Sequence, residues 1–464
     1  MKSKAQHCLY SGTRDVAGQR IAVLGMARTG AAAVRFLASR GADVFALDQR
    51  PEADWPDDSR AAGRLARRIV APYQSIDDLL PLDALVISPG VPTEAPIVQA
   101  AREAGAEIIG EVELAYRFSQ APMIAVTGTC GKGTTVTSLG AMLHAAGAPH
   151  VVAGNIGSPL IDYAEGSVCL DCIVAEISSF QLETTTHFHP WISILLNVTE
   201  DHLERYADFE AYVQAKRLIF RNQTAKDWAI LCMDDPQVRE IGGELSGPKV
   251  LTVCLDDPSA NARVDGDALV VQLPGAGPET LAHRGDIQLP GEHHLINTLA
   301  AALAARIMGV PPDRFPEAVR GYRPAPHLMA LVADCGGVRY IDDSKATNPA
   351  SAIADLLSIE GPAIVIAGGK EKDTDFAEYG AVLAQKAKHV FVMGECAQRI
   401  MDAVGDPSRC TVVTSMDEAV ARAIAVAEAG DTVTLCPACS SLDMFASYAA
   451  RGDAFARAVR ERVG

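Results

Sequence analysis

No run of about eighteen apolar residues occurs anywhere in this chain of 464 residues, which excludes a helix spanning a bilayer. An excess of positive charge is missing too. The formal net charge is −17, whereas nucleic-acid binders present a basic face to phosphates, so no nucleic-acid partner is expected. Anionic substrates must then be held by local devices. A disulfide framework is also absent: eleven cysteines, an odd number running from Cys8 to Cys439 without framework spacing, suit free thiols in a reducing compartment. The first twenty residues lack the apolar core of a secretion signal, and a cytosolic protein is the expectation. There is no repeat of about 20 to 50 residues and no low-complexity tract. Two C-x-x-C pairs, Cys169 with Cys172 and Cys436 with Cys439, have the spacing of zinc ligands. They are read instead as small buried hydrophobes, the first pair beside the predicted strand CIVAE.

What the chain does have is ample apolar content, 48% by count, enough for two to four domains with their own cores. Short branched runs alternate with helical patterns, the signature of an α/β protein. Three segments are expected. Residues 1–110 carry IAVLG, DVFALD and ALVIS, a small Rossmann-like domain. Residues 111–324 carry VAEIS, SILLN and AILCM around a phosphate loop, a central P-loop-type ATPase domain. Within it, residues 249–290 lack helical periodicity and predict an antiparallel appendage before a helix over 293–308. Residues 325–464 resume the alternation as a Rossmann-like C-terminal domain, with AIVIAGG, HVFVMG and DTVTLC among its strands.

The densest chemistry lies in MIAVTGTCGKGTT, residues 123 to 135. An apolar strand breaks into a glycine-rich turn, and an apolar-periodic run after Thr134 starts a helix. Backbone N–H groups at that helix N-terminus can ring a polyphosphate, with Lys132 as a point charge and Thr134 as a hydroxyl for Mg²⁺. It is a variant loop: the common Walker pattern wants glycine where Val126 stands and serine or threonine where Gly133 stands. Gly128, Thr129, Gly131, Lys132, Gly133, Thr134 and Thr135 are the candidate ATP-binding residues of this turn.

Acidic and basic groups follow the neighbouring strand ends. Glu176 in VAEIS can hold Mg²⁺ opposite Thr134, and Asp201 and His202 follow SILLN, with Lys216 fourteen residues beyond His202 in a helical pattern. Asn155 converges on the same sheet edge. In the first segment, GMARTG follows the first strand and Asp48 closes the second, which is half a dinucleotide fingerprint with Ala27 in place of the middle glycine. A nucleotide diphosphate on that helix N-terminus, with Asp48 or Arg50 meeting a sugar or base, and a loop that merely packs helix on strand both fit. Ser88 and Gly90 join the same crevice.

On GNIG at 154–157, EISSFQLETT at 176–185, LNVTEDHLERY at 196–206, DDSKATN at 342–348 and CPACSSLDMF at 436–445, the chain resembles the Mur ligase family over essentially its whole length. SSFQLE and DSKATN point to the glutamate-adding branch. The resemblance implies ATP-driven amide formation through an acyl phosphate, with UDP-N-acetylmuramoyl-L-alanine and glutamate as small-molecule substrates, two Mg²⁺ ions, and a monomer. It implies UDP-sugar contacts from Thr29, Asp48, Arg50, Ser88 and Gly90, with Asn155, Ser178 and Gln181 nearer the reacting arm. Thr134 and Glu176 match the ligands of one ion, His202 and Lys216 those of the other. Lys216 aligns with a lysine that the family carbamylates, which would turn a cation of pKa near ~10.4 into an anionic oxygen ligand. Lys132, His202 and Lys216 are thus the catalytic candidates. Asn297, Asp343 and Lys345 match positions touching ATP, and Thr347, Lys372, Ser441 and Tyr448 those around glutamate. Four positions depart from the family pattern: Cys130 and His294 replace asparagines, Leu328 an arginine and Ala330 a glutamate. Addition of another amino acid, L-glutamate included, and a nucleotide-binding pseudoenzyme stay open as alternatives.

Overall fold

Buried branched strands followed by amphipathic helices should wind parallel sheets, and the computed structural model contains three sheets, the first wholly and the others mostly parallel. It describes residues 10–203, 205–370 and 374–463. The first sheet has five parallel strands, in spatial order Arg68–Val70, Asp43–Leu47, Arg20–Leu24, Ala84–Ile87 and Glu107–Gly110. The order reverses between Arg20–Leu24 and Ala84–Ile87, so the crevice for a ligand opens at Gly25 and Ser88, and Ser88 Oγ donates to the Gly25 carbonyl at 2.9 Å.

The central sheet has nine strands. Met123–Thr127 lies between Ile192–Leu195 and Cys172–Glu176, all parallel, which brings the ends of three motif-bearing strands to one edge. The expected antiparallel appendage differs in extent. Lys249–Val253 pairs parallel with Trp228–Cys232 and with Ala262–Asp265, and only the pairings of Ala268–Val271 with Ala262–Asp265 and with Glu279–His283 are antiparallel, at the end of the main sheet. Lys249–Val253 buries Leu251 and Val253 against the helix side, so a covered parallel strand suits it. The helix expected over 293–308 spans Glu292–Met308, and that of the phosphate loop begins at Lys132, two residues ahead of Thr134.

The third sheet orders Ala330–Cys335, Val338–Asp342, Thr432–Leu435, Ala363–Gly368, Ala387–Met393 and Cys410–Val412. All its pairings are parallel except the first hairpin, whose edge strand is half exposed and gave no clear apolar alternation. Buried Arg451 ties this unit's loops together: it donates to Ser344 Oγ and the Ser344 carbonyl, each at 2.9 Å, and to the Cys439 carbonyl at 3.0 Å. Burial pulls its guanidinium down to about 10.

The helix Glu111–Phe118 carries the chain from the first sheet to the second, and it is anchored by its own acids. Glu113, fully buried, accepts from the backbone N–H groups of Thr186, His187 and Phe188 and pairs with Arg117. Glu111 accepts from Ile161 N at 2.6 Å, and burial raises its carboxyl from 4.5 to about 7. The folded chain thus keeps a proton that the unfolded chain has lost. Wild-type stability is unaffected below pH 4.5, falls as pH rises, and carries the full penalty above about 7. Glu111→Gln, which retains the acceptor, is expected to be more stable than wild type by up to about 3 kcal/mol in urea unfolding at alkaline pH. The difference should vanish in acid; a constant difference across pH would contradict the shift.

Candidate active site

A cleft of about 660 Å³ opens where the central sheet's phosphate loop faces the third unit. Its floor is the turn between Met123–Thr127 and the helix Lys132–Ala145. Gly131 sits at φ +84°, and a Cβ there would come 2.3 Å from Asn297 Oδ1, so only glycine lets the loop close against the helix Glu292–Met308. Asn197 braces the turn from the next strand end. Its Oδ1 accepts from Thr129 N at 3.0 Å and Cys130 N at 2.8 Å, and its Nδ2 donates to the Cys130 carbonyl at 3.2 Å. Sequence reading passed over Asn197, although an asparagine directly after a buried strand beside a phosphate loop was the available cue. Asn197→Ala is expected to weaken ADP binding about tenfold in calorimetry, since two loop N–H groups lose their shared acceptor.

Two lysines, carried by two different helices, converge on the loop. Lys132 Nζ donates to the Gly128 and Thr129 carbonyls, both at 2.8 Å. Lys216 reaches the same Gly128 carbonyl at 2.7 Å from the helix Phe209–Arg217, with its Nζ 4.4 Å from the Tyr212 ring centroid. Only 1% of Lys216 is exposed. Burial first, and then the charge of Lys132, hold its amine well below the ordinary lysine range. A buried neutral amine is a nucleophile, which a solvated lysine at neutral pH is not.

Glu176 is buried and accepts from Asn155 Nδ2 at 2.8 Å. A Cβ on Gly133 would lie 3.3 Å from Glu176 Oε2, so the carboxylate is aimed at the first turn of the loop helix, where Thr134 is also buried. Oxygen donors of this kind suit Mg²⁺. His202 occupies the left-handed region at φ +59°, a sparsely populated conformation for a histidine, with its ring packed 4.8 Å from Phe180. Asp201 Oδ1 accepts the His202 N–H at 2.9 Å, and Asp201 Oδ2 accepts from Asn348 Nδ2 at 3.1 Å.

That last contact crosses to the third unit. Asn348 caps the helix Pro349–Ser358, and Ser351 Oγ on that helix donates to Cys130 Sγ at 2.9 Å, which explains the variant cysteine as a seam residue. Lys345 and Tyr448 face the cleft with Nζ 4.8 Å from the ring centroid, and Thr347 and Leu328 line it as well. Ala330, another of the four departing positions, begins the edge strand outside the cleft lining.

The predicted residues divide accordingly. Thr129, Gly131, Lys132, Gly133, Thr134, Asn155, Glu176, Ser178, His202, Lys216, Asn297, Lys345, Thr347 and Tyr448 share one cleft. Thr135 turns its hydroxyl to the Gly131 carbonyl, and Gln181 is engaged in the capping box of Ser178. Asp343 is fully buried beneath the lining and accepts from Met329 N at 3.2 Å, and burial, then Asp355, raises its carboxyl. Ser441 is buried, with its carbonyl accepting from Phe445 N. Lys372 lies outside the described residues. The first-sheet set lies at its own crevice: Asp48 accepts from Met26 N at 2.7 Å and from Arg50 N at 2.8 Å. Burial works against the Asp48 charge, yet the Arg50 contacts keep its carboxyl below the ordinary value. Thr29 is half-buried in the first turn of Arg28–Ser39, and Gly90 has open space around it.

A braced phosphate loop, paired lysines and a carboxylate facing a second α/β unit define a nucleotide-dependent enzyme of the P-loop class. Comparison with known proteins carries this further. Three family models match in chain order: Mur ligase MurD-like, N-terminal domain over residues 19–110, Mur ligase middle domain over 126–305, and Mur ligase, glutamate ligase domain over 329–439. The UDP-N-acetylmuramoylalanine--D-glutamate ligase of Geobacter metallireducens is 40% identical over 445 residues, 96% of this chain and 98% of that protein. That of Syntrophus aciditrophicus is 39% identical over 448 residues, with the same coverage of 96% and 98%. The chain belongs to the Mur ligase family, whose members form amide bonds with ATP. Solved structures share the fold: MurF from Acinetobacter baumannii at a TM-score of 0.61 and 17% identity, covering 98% of this chain and 93% of that one. A pseudomurein peptide ligase type C from Methanothermus fervidus superposes at 0.60 and 17% identity, covering 96% and 100%.

Proposed function

We propose that this chain joins D-glutamate to the carboxylate of UDP-N-acetylmuramoyl-L-alanine, a step of peptidoglycan precursor synthesis. The substrate carboxylate attacks the γ-phosphorus of ATP, the bond to the β-bridging oxygen breaks, and ADP leaves. The amine of glutamate then adds to the acyl carbon, phosphate departs, and the amine's proton is lost to solvent. For the phosphoryl half, the observation that carries the reading is the convergence of Lys132 and Lys216 on the Gly128 carbonyl. The choice of substrates rests on the nearly full-length relatives that bear this name.

In this reading the loop N–H groups, fixed by Asn197, and the Lys132 ammonium bind the triphosphate. Asn297 and Lys345 serve the nucleotide, with Asp343 acting from beneath. Glu176 and Thr134 would hold one Mg²⁺, and His202 and Lys216 a second; bound there, Mg²⁺ neutralises the converging triphosphate and carboxylate. Lys216 takes up CO₂: its nitrogen forms the N–C bond, a proton leaves to solvent, and the resulting carbamate presents anionic oxygen. Asp48 and Arg50, with Thr29, Ser88 and Gly90, receive the UDP moiety at the switch point of the first sheet. Asn155 and Ser178 orient the reacting arm, with Gln181 fixing Ser178. Thr347, Tyr448, Ser441 and Lys372 serve the incoming amino acid. The first unit, residues 1–110, would act as the UDP-substrate domain, 111–324 as the ATPase and 325–464 as the amino-acid domain, in a monomer working in the cytosol.

The test is phosphate release and product mass with UDP-N-acetylmuramoyl-L-alanine, ATP and a panel of amino acids. D-glutamate alone is expected to give product. Product with L-glutamate instead would replace the substrate assignment, and nucleotide binding without product on any amino acid would leave a pseudoenzyme.

A further inference from the structure

Three side chains in the same cleft carry no role in the reaction above. His293 and His294 occupy the first turn of the helix Glu292–Met308 in the central unit, and Asp355 lies on Pro349–Ser358 in the third. Their ligating atoms all fall within 4.8 Å of one another. Asp355 Oδ1 lies 2.9 Å from His293 Nε2 and 3.4 Å from His294 Nε2. With bonds of about 2.0–2.1 Å, a tetrahedral zinc ion sets neighbouring donors about 3.3 Å apart, and the two separations bracket that value. His294 is 3% exposed, and neither of its ring nitrogens makes a hydrogen bond of acceptable geometry. Buried polar atoms are nearly always paired, so an imidazole left in this state calls for a partner. Asp355 is itself 3% exposed, so its carboxylate is held out of solvent beside the two rings.

We propose that His293, His294 and Asp355 form a binding site for a borderline transition-metal ion, zinc above all, that bridges the central and third units. Two imidazoles and one carboxylate leave a fourth position to water or to a group of a molecule in the cleft. The donor set differs from that of the Mg²⁺ candidates, Glu176 and Thr134, which are oxygen only. Because the ligands come from two units, the ion ties the helix behind the phosphate loop to the helix that Asn348 caps. This inference does not depend on the proposed reaction.

Full-length protein stripped with chelator and held in excess Mg²⁺ is titrated with Co²⁺, read by visible d–d absorption, and with Zn²⁺, read by calorimetry. One equivalent of each is expected to bind, Co²⁺ with a four-coordinate spectrum, and Zn²⁺ is expected to raise the thermal unfolding midpoint. His293→Gln, at a partly exposed position, and Asp355→Asn should weaken binding by about a hundredfold or more and abolish the thermal shift. His202→Ala should leave the spectrum intact. Absence of a stoichiometric site, binding indifferent to His293→Gln, or binding lost with His202→Ala would each overturn the assignment. Should Asp355→Asn fail to fold, His293→Gln decides.

Discussion

Lys132→Ala is expected to lower ATP-dependent phosphate release by about 10²–10³-fold in kcat, the loss common for one preorganised group facing transition-state charge. The physical basis is local. With a net charge of −17, the chain has no general attraction for a triphosphate, so the loop must supply it from backbone N–H groups and one ammonium. Lys132 is held over the turn by the Gly128 and Thr129 carbonyls, which fixes where its charge acts. Lys132→Arg should rescue poorly, because a planar fork does not replace a compact point charge. Steady-state phosphate release at saturating ATP decides it. A Lys132→Ala enzyme with most of its turnover intact would remove the loop from the chemistry.

Lys216→Met is expected to cost about 10² or more in turnover, comparable to losing a transition-state charge, while leaving the fold in place. Desolvation, chiefly, pushes an amine so buried toward its neutral form, and that form is the one that reacts to a carbamate. Wild-type activity should therefore fall in CO₂-depleted buffer and return with bicarbonate, whereas Lys216→Met should respond to neither. Stability supplies an independent check on the same group. The unfolded chain binds a proton at this lysine that the folded chain does not. Wild-type stability relative to Lys216→Met should therefore rise with pH from the depressed folded value up to about 10.4, and level off above it. Unfolding curves of the two proteins that stay parallel across alkaline pH would show that Lys216 is charged when folded.

Much of this was legible in the chain because strands buried on both faces read as plain apolar runs. IAVL and VAE announced strands whose carboxyl ends then located Gly25 and Glu176. The phosphate loop was equally plain, since glycine, lysine and hydroxyl must fall in fixed register. What escaped was set by long-range contact. The edge strand Ala330–Cys335 is half exposed and gains its partner only from the following hairpin arm. Arg451 lies in a helix that reads as amphipathic, and only the loops beneath it make a buried guanidinium tolerable. Asp355 looked like one more polar position on a short helix, and its meeting with His293 and His294 spans about sixty residues of chain. Asp343 and Gln181 show the converse. Their types suited direct contact with a ligand, whereas the fold places Asp343 beneath the lining and engages Gln181 in a helix cap. Local pattern therefore located the loops, and packing decided which side chains face the cleft.

The direct transfer of phosphoryl from ATP to a substrate carboxylate over the Lys132 loop can be followed with a heavy-oxygen label. UDP-N-acetylmuramoyl-L-alanine labelled in its carboxylate oxygens is turned over with ATP and D-glutamate, and the released phosphate is analysed by mass. One labelled oxygen is expected in each phosphate, because the carboxylate oxygen that attacks phosphorus leaves with it when the amine displaces the acyl group. Phosphate that carries no label, or its release without the amide, would contradict an acyl phosphate formed in this cleft.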